Sequence, residues 1–279
     1  LNLTDGKTGH VQTLSPREDL LEKAEALKVL PTLNAIIDEV FRVLADDNSS
    51  FSRLFGIVKY DQAISSKVIS IANSAYFGRG TRIVNLEKAM AAIGFDEIKR
   101  IVMCVVVFLK EMLHQWKLSQ ADLTAHWIHT LSVACAAKIL AGKTLTEDRE
   151  KVFTVSILHD IGKVPLLMYG DRYRELAEEA RDKGRDIASL EREAFGIDHQ
   201  EIGHFMSVKW RFPEEFSEVI KTHHGRLENP TALVDLVMKA DRFIDNSPAD
   251  LGPEAFILRE EAGRIEAETK RIGELLGVA

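Results

Sequence analysis

A histidine and an aspartate stand side by side inside an apolar run, Val155-Ser156-Ile157-Leu158-His159-Asp160-Ile161-Gly162-Lys163-Val164. A carboxylate taken out of water without a partner is costly, so buried acids are normally paired or metal-bound. Any fold of this chain must therefore bring cationic or metal-holding groups to Asp160. Adjacent helical residues differ by about 100° in direction, so both side chains can grip one ion from a single helix. Gly162 leaves room for a neighbouring element to approach.

Partners of the right kind lie elsewhere in the chain. His129 follows Trp127 on a segment whose next turns carry Ser132, Ala134, Ala136 and Ala137, small enough for close packing against the His159 segment. Asp241 falls on the apolar stripe Leu233, Val237, Ala240 and Ile244, where a solvated acid is out of place. His129, His159, Asp160 and Asp241 make a two-imidazole, two-carboxylate set. It suits Fe, Mn, Zn or Mg better than a thiolate-preferring metal, with Fe, Mn and Zn the leading candidates. A second group comprises His199, at the head of His199-Gln200-Glu201-Ile202-Gly203, and the tandem pair His223-His224. With Asp160 as a bridge these would hold a second ion. Two ions about 3.5–4 Å apart activate a water and clamp a phosphate. In an active enzyme Asp160 and Lys163 would be the catalytic pair, Lys163 meeting the phosphate as a point charge. His114, His126 and His204 read as ordinary surface or packing residues.

The rest of the chain is patterned for helices. Ser15-Pro16-Arg17-Glu18 is a helix start leading toward Lys28, and Leu30-Pro31-Thr32-Leu33 opens the next helix, with Ile36, Ile37, Val40, Phe41 and Val43 on one stripe. Asp61 heads a helix that Gly78 and Gly80 are expected to end. Ile101 to Leu109, apolar all round, is expected to be a central buried helix. Helices are expected near 119–141, 147–168, 171–183, 199–209, 213–224, 229–246 and 253–276. The expectation is an all-α fold of two lobes dividing near Trp116 to Ser119: an N-terminal helical lobe over 15–117, a second over 118–250, and a C-terminal extension over 251–279. Tyr76-Phe77 is expected to anchor the lobe boundary by packing. The last helix is expected to be peripheral, docked through Ile257, Leu258, Ile265, Ile272, Leu275 and Leu276, and dispensable for folding.

Composition bounds the function. Lys and Arg number 36 against 43 Asp and Glu, a net charge of −7, so nucleic acid is an unlikely partner. Cys104 and Cys135 each sit in apolar runs and read as small buried hydrophobes in a reducing compartment. Leu1 to Gly6 shows neither a basic start nor an apolar run, and Ile101 to Leu109 is short of the roughly 20 apolar residues a span needs. A cytoplasmic protein without membrane contact is expected.

His129, then Leu158-His159-Asp160-Ile161-Gly162-Lys163, then Asp241 resemble the H…HD…D pattern of the HD superfamily of metal-dependent phosphohydrolases. Tyr60-Asp61-Gln62-Ala63, Ile71-Ala72-Asn73-Ser74-Ala75-Tyr76-Phe77-Gly78, Ala89-Met90-Ala91-Ala92-Ile93-Gly94, Trp127-Ile128-His129-Thr130, Phe195-Gly196-Ile197-Asp198-His199 and Val219-Ile220-Lys221-Thr222-His223-His224 narrow this to a resemblance to the HDOD domain, from about Leu30 to His224. The resemblance implies an N-terminal helical lobe packed on an HD-like lobe and a regulatory role in bacterial signal transduction, with other signalling proteins as partners. HDOD domains often lack the full HD ligand set, whereas this chain keeps it. His199 and His223-His224 also resemble positions of the HD-GYP cyclic-di-GMP phosphodiesterases, but Gly225-Arg226-Leu227-Glu228-Asn229-Pro230 stands where their GYP signature would be. An active metal-dependent phosphohydrolase or phosphodiesterase, acting on a phosphate-containing small molecule, is the alternative.

Overall fold

The computed structural model describes residues 14–46, 48–77, 82–113, 118–225, 227–246, 251–276 and 278. Among these the chain is all helical, with no strand. The first group comprises α1 (Pro16–Ala26), α2 (Asn34–Leu44), α3 (Phe51–Val58), α4 (Gln62–Ala72), α5 (Leu86–Ile93) and α6 (Phe95–Leu113). The second comprises α7 (Gln120–Thr144), α8 (Arg149–Leu158), α9 (Lys163–Leu167), α10 (Asp171–Lys183), α11 (Ile187–Phe195), α12 (His199–Lys209), α13 (Glu214–Thr222) and α14 (Ala232–Ile244). Two more, α15 (Glu254–Glu260) and α16 (Ala262–Leu275), close the chain. The helix starts are those the side chains dictate. Ser15 and Glu18 form a reciprocal capping box on α1, and Asp61, Asn85, Ser119, Asp148 and Thr231 cap α4, α5, α7, α8 and α14.

Helices α2 to α6 pack on one another, and α4 and α5 of that lobe lie against α8 of the second. Helix α1 packs on α9 and α12. Arg17 donates to the Gly196 carbonyl at 2.7 Å and pairs with Glu201, and Lys209 bonds the Glu25 carbonyl, so the first helix belongs in space with the second lobe. One continuous apolar core runs through both lobes and the C-terminal helices. No helix among the described residues is long and apolar enough to cross a membrane.

Several expectations need correction. Helix α6 is not buried all round. Its neighbours α2, α4 and α5 cover one side, leaving Cys104 exposed and Val107 48% exposed. Cys135 is buried as expected. Helix α4 ends at Ala72, because the Asn73 amide donates to the Ile69 and Ile83 carbonyls at 2.9 Å and accepts from the Ile83 N–H, tying the two limbs of a loop together. That loop throws Tyr76 outward, 86% exposed, while Phe77 stays partly buried against the core. Tyr76 is thus no packing anchor. Gly78, Gly80, His114 and Trp116 lie outside the described residues. The single helix expected over 147–168 is two, the last is α15 and α16, and α3 and α11 were not foreseen. Of the expected docking stripe, Leu258, Ile265, Ile272 and Leu276 are buried in the common core, with α16 laid along α7, while Leu275 is 58% exposed.

Candidate metal centre

The site forms where the chain breaks between α8 and α9. Helix α8 stops at Leu158, and tight turns follow: the Ile161 N–H bonds the Leu158 carbonyl at 3.3 Å and the Lys163 N–H bonds the Asp160 carbonyl at 3.0 Å. His159 and Asp160 project from this turn at full burial. The turn lies directly on the start of α12. A Cβ built on Gly162 would fall 1.9 Å from the His199 carbonyl oxygen and 2.5 Å from the Gly203 nitrogen, so only glycine fits.

All seven residues expected as metal ligands converge. His129 on α7 places Nε2 3.2 Å from Asp160 Oδ2 and 3.2 Å from Asp241 Oδ1. His159 Nε2 stands 3.4 Å and 3.5 Å from the same two oxygens. On the other side of Asp160, Oδ1 faces His199 Nε2 at 3.5 Å and His223 Nε2 at 3.3 Å. His224 Nε2 approaches Asp241 Oδ2 at 3.7 Å. Two sets result, His129–His159–Asp241 and Asp160–His199–His223–His224, each with ligand atoms within 4.8 Å of one another. Asp160 sits between them with one oxygen toward each.

The five imidazoles are oriented alike. Each Nδ1 is held from behind: His129 by Asp245 at 3.3 Å, His159 by the Ser156 carbonyl at 2.6 Å, His199 by Glu191 at 2.6 Å, His223 by the Ile220 carbonyl at 3.1 Å, and His224 by Asp186 at 3.4 Å. Every Nε2 is thereby aimed at the two carboxylates. This is how outer groups fix the tautomer and direction of metal-binding histidines. Nε2 of His129, His159 and His224, Oδ1 of Asp160 and both oxygens of Asp241 are buried and make no hydrogen bond among the described residues. Orphaned polar atoms at this depth are expensive, and mixed N/O donors turned to one point fit a divalent cation.

The electrostatics agree with that fit. Burial alone would raise the Asp160 carboxyl, but the Lys163 ammonium and the surrounding imidazoles hold it well below the usual carboxylate range. Asp241 is likewise held low against burial by His129 and His159. Burial pushes His223 down to about 3, so it is a neutral lone-pair donor. Burial likewise lowers His199, with Glu191 opposing. His129 goes the other way, raised against burial by Asp245, Asp160 and Asp241. Lys163 donates to Asp160 Oδ2 at 2.5 Å, so its ammonium is spent on the central carboxylate and does not stand free toward solvent. Access is narrow: His129 is 18% exposed, His224 and Lys163 12% each, and the other ligands are at most 1% exposed.

Residues 30–226 match the HDOD domain model. The chain belongs to the HDOD domain family. This HDOD protein is 20% identical to the MmoQ response regulator of Methylococcus capsulatus over 88% of its own length and 98% of that chain, with a TM-score of 0.64. An HDOD domain protein of Geobacter sulfurreducens is 19% identical over 91% and 97% of the two chains, with a TM-score of 0.50. At those identities the likeness is one of fold. An uncharacterized protein of Treponema pallidum (strain Nichols) is 21% identical over 219 residues, 77% of this chain but 41% of that protein, so the HDOD chain spans about two fifths of that relative.

Sequence reasoning missed the residues behind the ligands. Glu191 is fully buried, accepts from both the backbone and ring of His199, and is held in turn by the Tyr173 hydroxyl at 2.7 Å. It lies in Leu190-Glu191-Arg192-Glu193, which reads as a solvated face, and only packing against α10 and α12 buries it. Asp245 carried a usable signal, four residues after Asp241 and so on the same helical face. Gln200 accepts from the His224 backbone N–H at 3.0 Å. His126, read as ordinary, lies close enough to Asp160, Lys163 and two ligand histidines to feel their charges, and burial lowers it to about 3.

Proposed function

We propose that this HDOD protein is a bacterial signal-transduction module whose HD-like pocket holds one or two divalent ions, Fe, Mn or Zn, as part of its working structure. The observation that carries the reading is the set of five imidazoles with Nδ1 anchored and Nε2 turned on two buried carboxylates. His129, His159 and Asp241 would hold one ion and His199, His223 and His224 a second, with Asp160 between them. Membership of the HDOD family and the likeness to a response regulator support the signalling role, carried out through protein partners. The narrow access supports it too, because a phosphodiester has little surface to reach.

A hydrolytic reading has one observation in its favour, the central placement of Asp160 between two ligand sets. A bound metal pair supplies Lewis acidity and a water of lowered pKa. In that reading Lys163 holds the charge of Asp160, and the exposed edge formed by His129, His224 and Asp245 admits the phosphate. A panel of phosphomonoesters and phosphodiesters assayed with the metal-loaded protein separates the two. The signalling reading predicts no turnover above that of Asp160→Ala. Turnover that disappears in Asp160→Ala would install the enzyme in its place.

A further inference from the structure

Between the two lobes one side chain reaches two of the three helices that position the first ligand set, α7 and α8. Gln62 opens α4 and is buried. Its amide nitrogen donates to the Ile157 carbonyl at 2.5 Å, and its amide oxygen lies 3.1 Å from His126 Nε2. A carbonyl can only accept, so the orientation of the amide is fixed, and His126 must carry its proton on Nε2 and donate to Gln62.

Both contacts are well placed. Ile157 is in the last turn of α8, where helix carbonyls lose their intrahelical partners. The two neighbouring carbonyls are already engaged, Ser156 by the His159 ring and Leu158 by the Ile161 N–H. Gln62 satisfies the one between them, two residues before His159. His126 stands one helical turn before His129 on α7 and on the same face. A single amide from the first lobe thus ties the base of the His159-Asp160 turn to the His129 helix. Gln62 is itself anchored, because its neighbour Asp61 caps α4 and accepts the Thr32 hydroxyl. A second tie runs alongside: the Trp127 indole N–H donates to the Tyr60 carbonyl at 2.9 Å. It joins the lobes with no hydrogen bond to the end of α8.

We propose that Gln62 is a positioning residue for the metal centre, through which the first lobe sets how tightly the His129 and His159-Asp160 segments hold a divalent cation. This rests on the metal-centre reading above. Whatever shifts α4 shifts the spacing of the ligands, and by linkage a cation bound at the centre strengthens the docking of the first lobe. A partner that grips the first lobe and a metal ion in the second would then read each other.

The test is Mn²⁺ affinity, measured by calorimetry on the full chain stripped of metal, beside the thermal unfolding of each variant. Gln62→Leu fills the same space and removes both hydrogen bonds. Gln62→Glu keeps the acceptor for His126 but turns a carboxylate on the Ile157 carbonyl. Both should weaken Mn²⁺ binding at least about tenfold, the scale of lost outer-shell support. Trp127→Phe breaks the parallel tie and should lower the unfolding temperature while leaving Mn²⁺ affinity within about twofold. Gln62 variants that unfold earlier yet bind Mn²⁺ as wild type does would overturn the proposal. So would a Trp127→Phe variant that loses as much affinity, since lobe docking in general would then be responsible. A wild-type chain that takes up no Mn²⁺, Zn²⁺ or Fe²⁺ sinks the metal-centre reading itself, and this one with it. Where a Gln62 variant does not fold, the wild-type side-chain amide resonance of Gln62 decides: it should move on Zn²⁺ addition, and a fixed resonance contradicts the coupling.

Discussion

Glu191 shows how much of the centre depends on side chains that would touch no metal. One oxygen takes two N–H groups of His199, and the other takes the Tyr173 hydroxyl. Glu191→Gln must turn an N–H₂ toward one of these donors and removes the charge that orients His199. Metal affinity should fall about 10–100-fold with the fold retained, measured by chelator competition. Asp61 offers a test by pH. It is fully buried, and burial raises it from 3.8 to about 6 despite the Thr32 and backbone hydrogen bonds. Its folded pKa lies above its unfolded one, so its contribution is complete below about 3.8 and is lost as pH rises through about 6. The stability of Asp61→Asn relative to wild type should therefore grow by about 2 kcal/mol between pH 4 and pH 7, in chemical unfolding at both ends. A pH-independent difference would contradict the burial of an ionisable group there. At this scale the residues that converge on Asp160 and Asp241 were legible, because acids and imidazoles inside apolar stripes are out of place in water. Glu191 and Gln62 were not, because each lies beside polar residues and is buried only when other helices close over it, α10 and α12 for Glu191 and α7 and α8 for Gln62.

The turn between α8 and α9 is the element on which the site depends. Apolar spacing ran unbroken through 147–168, and nothing in periodicity reveals that the helix stops at Leu158. The cause is tertiary: the Gly162 backbone must meet the His199 carbonyl and Gly203. Gly162→Ala sets a Cβ against the backbone of α12 and should cost about 3 kcal/mol or more, or prevent folding. Gly203→Ala meets the Ile220 Cγ2 methyl, 2.7 Å from the new Cβ, rather than backbone at clashing distance, so it should be milder than Gly162→Ala by thermal unfolding. Equal losses would mean that the close approach of turn and helix is not what the glycines serve. Helices α3 and α11 escaped notice for local reasons. The first is eight residues long with Gly56 inside it, and the second carries Glu191, Arg192 and Glu193 in succession.

Across the whole molecule, the two-lobe helical plan follows from sequence because caps and apolar spacing agree along most of its length. The placing of the ends does not. Helix α1 precedes the first lobe in sequence yet lies on the second, through ties such as Arg17 to Gly196 and Glu201. The C-terminal helices bury Leu258, Ile265, Ile272 and Leu276 against the shared core. Burying each such side chain is worth roughly 1.5–3 kcal/mol, so four together rival the roughly 5–15 kcal/mol that hold a domain folded. A chain ending at Leu251 should accordingly lose cooperative unfolding, where the sequence suggested that it would fold unaided. A sharp transition near the full-length temperature would restore that simpler view. The central claim, that seven residues from five separate stretches of the second lobe form a metal centre, is tested most directly by elemental analysis of protein purified without chelator. The account predicts at least one Fe, Mn or Zn per chain in the wild type and none in a folded Asp160→Ala variant. A wild-type protein free of metal, whose unfolding temperature does not respond to any of the three ions, would contradict it.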